Sequence, residues 1–289
     1  MIHAGVLLGL ASALFWSLAN VTIQKASRRF GTFGSLFYAQ VIGVVLAAAL
    51  GLMRHGIPDL GSVRLWVWTG IAALAACVAY GGLFESLKHG RLALAAPIVS
   101  AWSALTAGAG LLFYGETPGM LGVAGIVLVL CGNALLARAA DRGAGSTGQE
   151  RRAVLAATAG ALGFGIMVPA VREVGHDVGS SWAVALIWST ELLLLLPWLL
   201  HKGRLPAPQG FASLRVVFLP GMLEVLGFLA LSEAVARAPL TEVAPASSLS
   251  TAFSVTWGLV LLRERLTPFA FAGAVAASLG VVLVNASSP

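Results

Sequence analysis

Apolar runs of about twenty residues follow one another along nearly the whole chain, separated by short stretches that carry most of its charge. A helix needs about 20 apolar residues to cross a hydrocarbon core, so each run predicts a membrane span. Punctuation by charge, proline and glycine gives ten, at about 4–25, 33–53, 65–87, 92–114, 118–138, 153–172, 181–200, 212–236, 240–262 and 267–286. The connections are short. The longest polar interval, ARAADRGAGSTGQERRA at 137–153, has the composition of a linker.

The polar positions inside these runs are not random. Residues 97–116 read PIVSAWSALTAGAGLLFYGE, and residues 245–264 read PASSLSTAFSVTWGLVLLRE. An offset of 148 takes Pro97 to Pro245, Ser100 to Ser248, Ser103 to Thr251, Thr106 to Ser254 and Glu116 to Glu264. The same offset relates Leu83 to Leu231, Glu85 to Glu233, and Gly125 and Gly132 to Gly273 and Gly280. Two units of five spans are therefore expected, at 1–138 and 151–289, joined by 139–150. Five is odd, so the second unit starts on the opposite side of the membrane. The expected fold is all-α, with ten transmembrane helices as two inverted repeats, an architecture that places binding sites where the halves meet.

Residues three apart share one side of a helix. Ser100, Ser103 and Thr106, and in the second copy Ser248, Thr251 and Ser254, thus form a hydroxyl stripe on the fourth helix of each unit. A single such hydroxyl usually serves helix packing, at about 0.6 kcal/mol. The paired stripe, set behind a proline in both halves, favours the lining of a cavity. Pro97 and Pro245 either bend their helices or occupy first turns.

Composition agrees with a membrane protein. The chain has 289 residues, 58% hydrophobic and 10% charged, against roughly 25% charged in soluble domains. The net charge of +6 sits singly or in pairs between apolar runs, which points to membrane flanks and not to nucleic acid. Cys77 and Cys131 both fall within spans, so neither a disulfide nor a zinc site is expected. The N-terminal run has no basic leader and reads as a retained span.

The pattern resembles the EamA-type transporters of the drug/metabolite transporter superfamily. Phe15-Trp16, the Ala96-Pro97 and Ala244-Pro245 starts, and the helix-ending Gly115-Glu116 and Arg263-Glu264-Arg265 carry the likeness. One departure is Gly163-Phe164 where the first half has Phe15-Trp16. The resemblance implies a polytopic inner-membrane carrier of small metabolites, with both termini inside. The lysines and arginines give the opposite orientation: fourteen follow odd-numbered spans and four follow even-numbered ones, which would place the termini outside.

Acids in mid-membrane cost about 2.5–3.5 kcal/mol and are candidates for function. Glu191 and Glu224 stand out, and their counterparts at the 148 offset are Gly43 and Ala76. They suit binding of a cationic group or exchange of a proton; the plainer role is pairing with a neighbouring helix. Trp16 and Asn20, four residues apart on one helix face, together with Tyr80 and Trp102, complete the expected substrate site. Glu85, Glu233, Glu116 and Glu264 read as helix-end acids, and Asp59, Asp141 and Asp177 as loop residues.

No zinc-protease pair, nucleophile elbow or intramembrane aspartate pair occurs, and the expectation is not an enzyme. The leading reading is a secondary transporter, an exporter, moving a small polar metabolite such as an amino acid by alternating access. The alternatives are a carrier for cationic compounds and, in another class, a scaffold or lipid flippase subunit. Expected partners are the lipid bilayer, the small-molecule substrate and protons, without nucleic acid or cofactor, in a monomer or homodimer.

Overall fold

A computed structural model describes residues 4–90, 92–115, 119–142, 148–201, 211–261, 263 and 267–286. Glu116, Glu264 and residues 143–147 of the linker lie outside them, as do the side chains of Pro97, Pro245 and Ser248. The described chain is helical: α1 (Ala4–Phe30), α2 (Thr32–His55), α3 (Val63–His89), α4 (Leu92–Val99), α5 (Trp102–Tyr114), α6 (Met120–Arg142), α7 (Gly148–Val178), α8 (Ser180–His201), α9 (Phe211–Val235), α10 (Leu240–Ser248), α11 (Ser250–Val260) and α12 (Pro268–Ala286). Among the described residues six helices are long and apolar enough to cross a membrane. Large apolar side chains such as Leu74, Phe113 and Leu193 are well exposed on the outside. That surface is suited to lipid, not water.

The expected fourth and ninth spans are each broken. Ala101 separates α4 from α5 with φ −58° and ψ −16°, and Leu249 separates α10 from α11 with φ −58° and ψ −13°. These are 3₁₀-type values, and the bonds tighten accordingly: Ala101 N–H reaches Ile98 O and Leu249 N–H reaches Ala246 O. Each break lies four residues after Pro97 or Pro245. A proline removes a donor from, and crowds, the turn that precedes it, so the prolines do not by themselves account for breaks on their C-terminal side. Asp141 and Asp177, expected in loops, instead end α6 and α7, because those helices continue past the apolar run.

Symmetry-equivalent helices meet across the centre. Adding a Cβ to Gly43 would drive it into Trp188, and one on Gly51 would lie 2.9 Å from Trp182. Gly43 and Gly51 of α2 thus oppose residues of α8 in reverse order, and the two helices run antiparallel. They occupy the same place in the two repeats, so the repeats point in opposite directions. The pairs α3–α7 and α1–α9 cross antiparallel as well. Gly82 and Gly163 let α3 and α7 touch backbone to backbone, with a Cβ on Gly82 only 2.6 Å from Gly160 N. Small residues at such crossings replace the hydrophobic drive that helices lack in lipid.

The tight turns into α2 and α8 are equivalent too. Gly31 has φ +78° and Gly179 φ +83°, a region that glycine reaches without a Cβ clash. Ser35 N–H then bonds Gly31 O, and Ala183 N–H bonds Gly179 O.

Candidate functional site

Six aromatic rings meet where the halves cross. Trp16 of α1 lies 6.1 Å from Trp102 of α5, edge to face, and 6.3 Å from Phe164 of α7. Tyr80 of α3 lies 5.1 Å from Phe164 and 5.7 Å from Trp188 of α8. Phe228 of α9 stacks on Trp188 with centroids 5.3 Å apart and planes 7° apart. Such contacts contribute about 0.5–1.5 kcal/mol beyond area burial. Four of the rings form repeat pairs, since the 148 offset takes Trp16 to Phe164 and Tyr80 to Phe228. The departure in the second half is thus an exchange of Trp for Phe at a shared position.

Both central acids are sealed among these rings. Glu191 is 0% and Glu224 3% exposed, and neither carboxylate has a hydrogen-bond partner of ordinary geometry among the described residues. Glu224 gets its place from spacing: Gly221, Glu224 and Gly227 fall on one face of α9. Gly221 admits the α2 backbone at Ala39, and Gly227 admits the ring of Trp16. Tyr80 sits beside Glu224 and Gln40 beside Glu191. The Tyr80 hydroxyl, both polar atoms of Gln40 and the Trp16 and Trp188 indole N–H groups are likewise buried and unpartnered. An unmet buried polar atom costs about 1–3 kcal/mol, more when charged. Such a concentration of buried polar groups among aromatic rings suits the recognition of a small charged ligand.

A cavity of about 370 Å³ reaches Glu224 past Trp16, Asn20, Ser100, Trp102 and Phe164. Only about 30 Å³ of it is open to the centre of a water molecule, room for roughly two waters. A second cavity, of only about 10 Å³, is lined by Gln40, Tyr80, Trp188 and Glu224. The centre is therefore occluded.

The residues expected from the sequence divide as follows. Trp16, Asn20, Ser100, Trp102 and Glu224 converge on the larger cavity, and Tyr80 with Glu224 on the smaller. Ser103, Thr106, Thr251 and Ser254 are all buried, so the described hydroxyls turn inward. Their uses differ: Ser103 donates to Ser100 O at 3.0 Å, and Ser254 accepts from Asn20 at 3.1 Å. Thr106 and Thr251 are unpartnered. Ser248 lies outside the described side chains. Trp257 stands apart from the cage and donates to Ser17 at 3.2 Å. Gln40, a polar residue within the second span, also reaches the smaller cavity, and Phe164, Trp188 and Phe228 were not expected. The offset from Trp16 and Tyr80 would have found the two phenylalanines, whereas nothing local marks Trp188.

Two polar clusters flank the cage. At one end the Thr32 hydroxyl donates to Glu85, which also pairs with Arg152 and with His89 at 3.2 Å. At the other end Ser180 donates to Glu233, which pairs with Arg237. Every member but Arg152 maps onto its counterpart by 148 residues. Among the described residues no three of His, Cys, Asp and Glu gather as a metal site.

The sequence pattern of the EamA-like transporter family matches residues 3–138 and again 151–286. The chain belongs to the EamA-like transporter family. Its two EamA-like repeats are the units related above, and it is a multi-pass membrane protein of a transporter family. A solved structure described only as the crystal structure of a protein shares this EamA-like chain's fold, with a TM-score of 0.72 and 22% identity over 98% of this chain and 99% of that one. No curated protein matches the chain.

Proposed function

We propose that the chain is a secondary carrier for a small metabolite bearing a positively charged amine. On this reading ten spans, the fourth and ninth broken, form two inverted halves in the cell's inner membrane, and the aromatic cage opens to each side in turn. The observation that carries it is the pair of buried carboxylates, Glu191 beside Gln40 and Glu224 beside Tyr80, among six aromatic rings and without a buried cation among the described residues. Aromatic faces and a carboxylate are the two groups that recognise an organic cation in a dry site. An amino acid would bring a carboxylate as well, and no lysine or arginine is among the buried residues described. That favours the cation over the zwitterion.

Trp16, Trp102, Tyr80 and Phe164 would close around the cation, with Asn20, Ser100, Thr106, Thr251 and Ser254 meeting its polar groups. Glu224 and Glu191 would hold either the cation or a proton, so that an outward-bound substrate exchanges for an inward-bound proton. The broken helices supply hinges. The test is flux in proteoliposomes: an outward-directed cation gradient should drive proton uptake, and a protein that moves neither cation nor proton would refute the reading.

A further inference from the structure

A groove of about 730 Å³ opens on the outside of the bundle between α3, α5 and α7. Trp68, Leu105, Gly108, Ala109, Gly165 and Ile166 line it. The symmetry-related place between α9, α11 and α1 carries larger and more polar residues. There the offset puts Thr256 for Gly108, Trp257 for Ala109 and Ser17 for Gly165, and the Trp257 indole lies across the crevice bonded to Ser17.

Its floor is thin. Leu105 rests on Gly165, where a Cβ would lie 2.6 Å from that of Leu105. The next residue of α5 is Thr106, fully buried and unpartnered, and the residue before Gly165 is Phe164 of the cage. One layer of side chain therefore separates the groove from the aromatic centre. The helix that carries Leu105 begins at the break at Ala101, so α5 can swing without distorting α4.

We propose that this groove is a lateral doorway between the bilayer and the cage, used by amphiphilic organic cations. The proposal rests on the carrier reading and specifies its substrates. The apolar walls hold the apolar body of such a molecule, and displacement of Leu105 lets its charged head pass to the cage and Glu224. A small hydrophilic cation gains nothing from an apolar crevice and would bypass it. With Trp257 bonded to Ser17 at the counterpart place, the doorway is one-sided.

The experiment is Ala109→Trp, which copies the Trp257 plug into the open half, with Ala109→Leu as a smaller plug should the indole disturb folding. Both are checked by thermal melting and assayed for uptake of octyltrimethylammonium and tetramethylammonium, which share a head group and differ in apolar body. The expected result is a loss of about tenfold for the octyl compound with tetramethylammonium uptake within about twofold of the parent. Equal loss of both, or loss of neither, overturns the doorway while leaving the carrier intact. Failure of the unsubstituted protein to move either cation overturns the carrier reading and the doorway with it.

Discussion

The Thr32 hydroxyl donates to the carboxylate of Glu85, and 148 residues later Ser180 repeats the bond to Glu233 at the opposite end of the bundle. Each bond ties the start of the second helix of a repeat to the end of its third. Both are made in the occluded arrangement. Because α2 and α8 run antiparallel, one clasp guards each end of the cage.

Breaking one clasp should favour opening at its own end. A hydrogen bond to a charged group contributes about 1.5–3 kcal/mol, so Thr32→Ala should raise access from the Glu85 end by about tenfold, and Ser180→Ala should do the same at the Glu233 end. Rates of thiol labelling at single cysteines placed at each end measure this. Equal effects at both ends would show that the clasps only hold the fold.

The acids should set the pH dependence. A cation and a proton competing for one carboxylate make apparent cation affinity rise with pH. Glu224→Gln should flatten that rise and lower cation uptake more than tenfold, while its thermal stability holds or increases because a buried ionisable group has been replaced by a neutral isostere. Transport assayed across pH in parent and variant checks the sign.

Cage aromatics should separate binding from folding. Trp16→Phe keeps a ring and copies Phe164, so stability should change little while cation affinity falls about fivefold, given the stronger cation–π attraction of indole. Trp188→Ala removes a fully buried ring stacked on Phe228 and should destabilise by about 3–5 kcal/mol. Ligand titration and melting of both variants distinguish the two roles.

Glycine positions offer a packing test. Gly163→Val would press a side chain into the α3 backbone at Ala79, at 2.7 Å from its Cα even for a bare Cβ, and should cost about 3 kcal/mol. Gly70 has open space around its missing Cβ, so Gly70→Ala should be neutral or stabilise by up to about 1 kcal/mol. Melting temperatures of the two variants decide it.

The duplicated, helical design was legible because membrane crossing enforces runs of about 20 apolar residues and the copies kept Pro97, Ser100 and Thr106 in register with Pro245, Ser248 and Ser254. The inward turn of the hydroxyls and the sealing of Glu191 and Glu224 followed from the cost of facing lipid. The breaks at Ala101 and Leu249 were less visible, since an apolar run does not say whether proline bends a helix or starts one. Trp188 was hidden for another reason. Its surroundings come from Gly43 and Phe228, which lie far away in sequence, and no local pattern reports a space cleared by a distant glycine. Phe164 was overlooked because a Phe-for-Trp exchange looks like a lost motif until both rings share one cage.

The central claim is that the buried acids exchange a proton for an organic cation. Proton release on adding tetramethylammonium to purified protein in weak buffer, followed between about pH 6 and 9, tests it most directly. The account predicts release that saturates with cation binding and disappears in the Glu191→Gln, Glu224→Gln double variant. Saturable binding with no proton released at any pH, or undiminished release from the double variant, would contradict it.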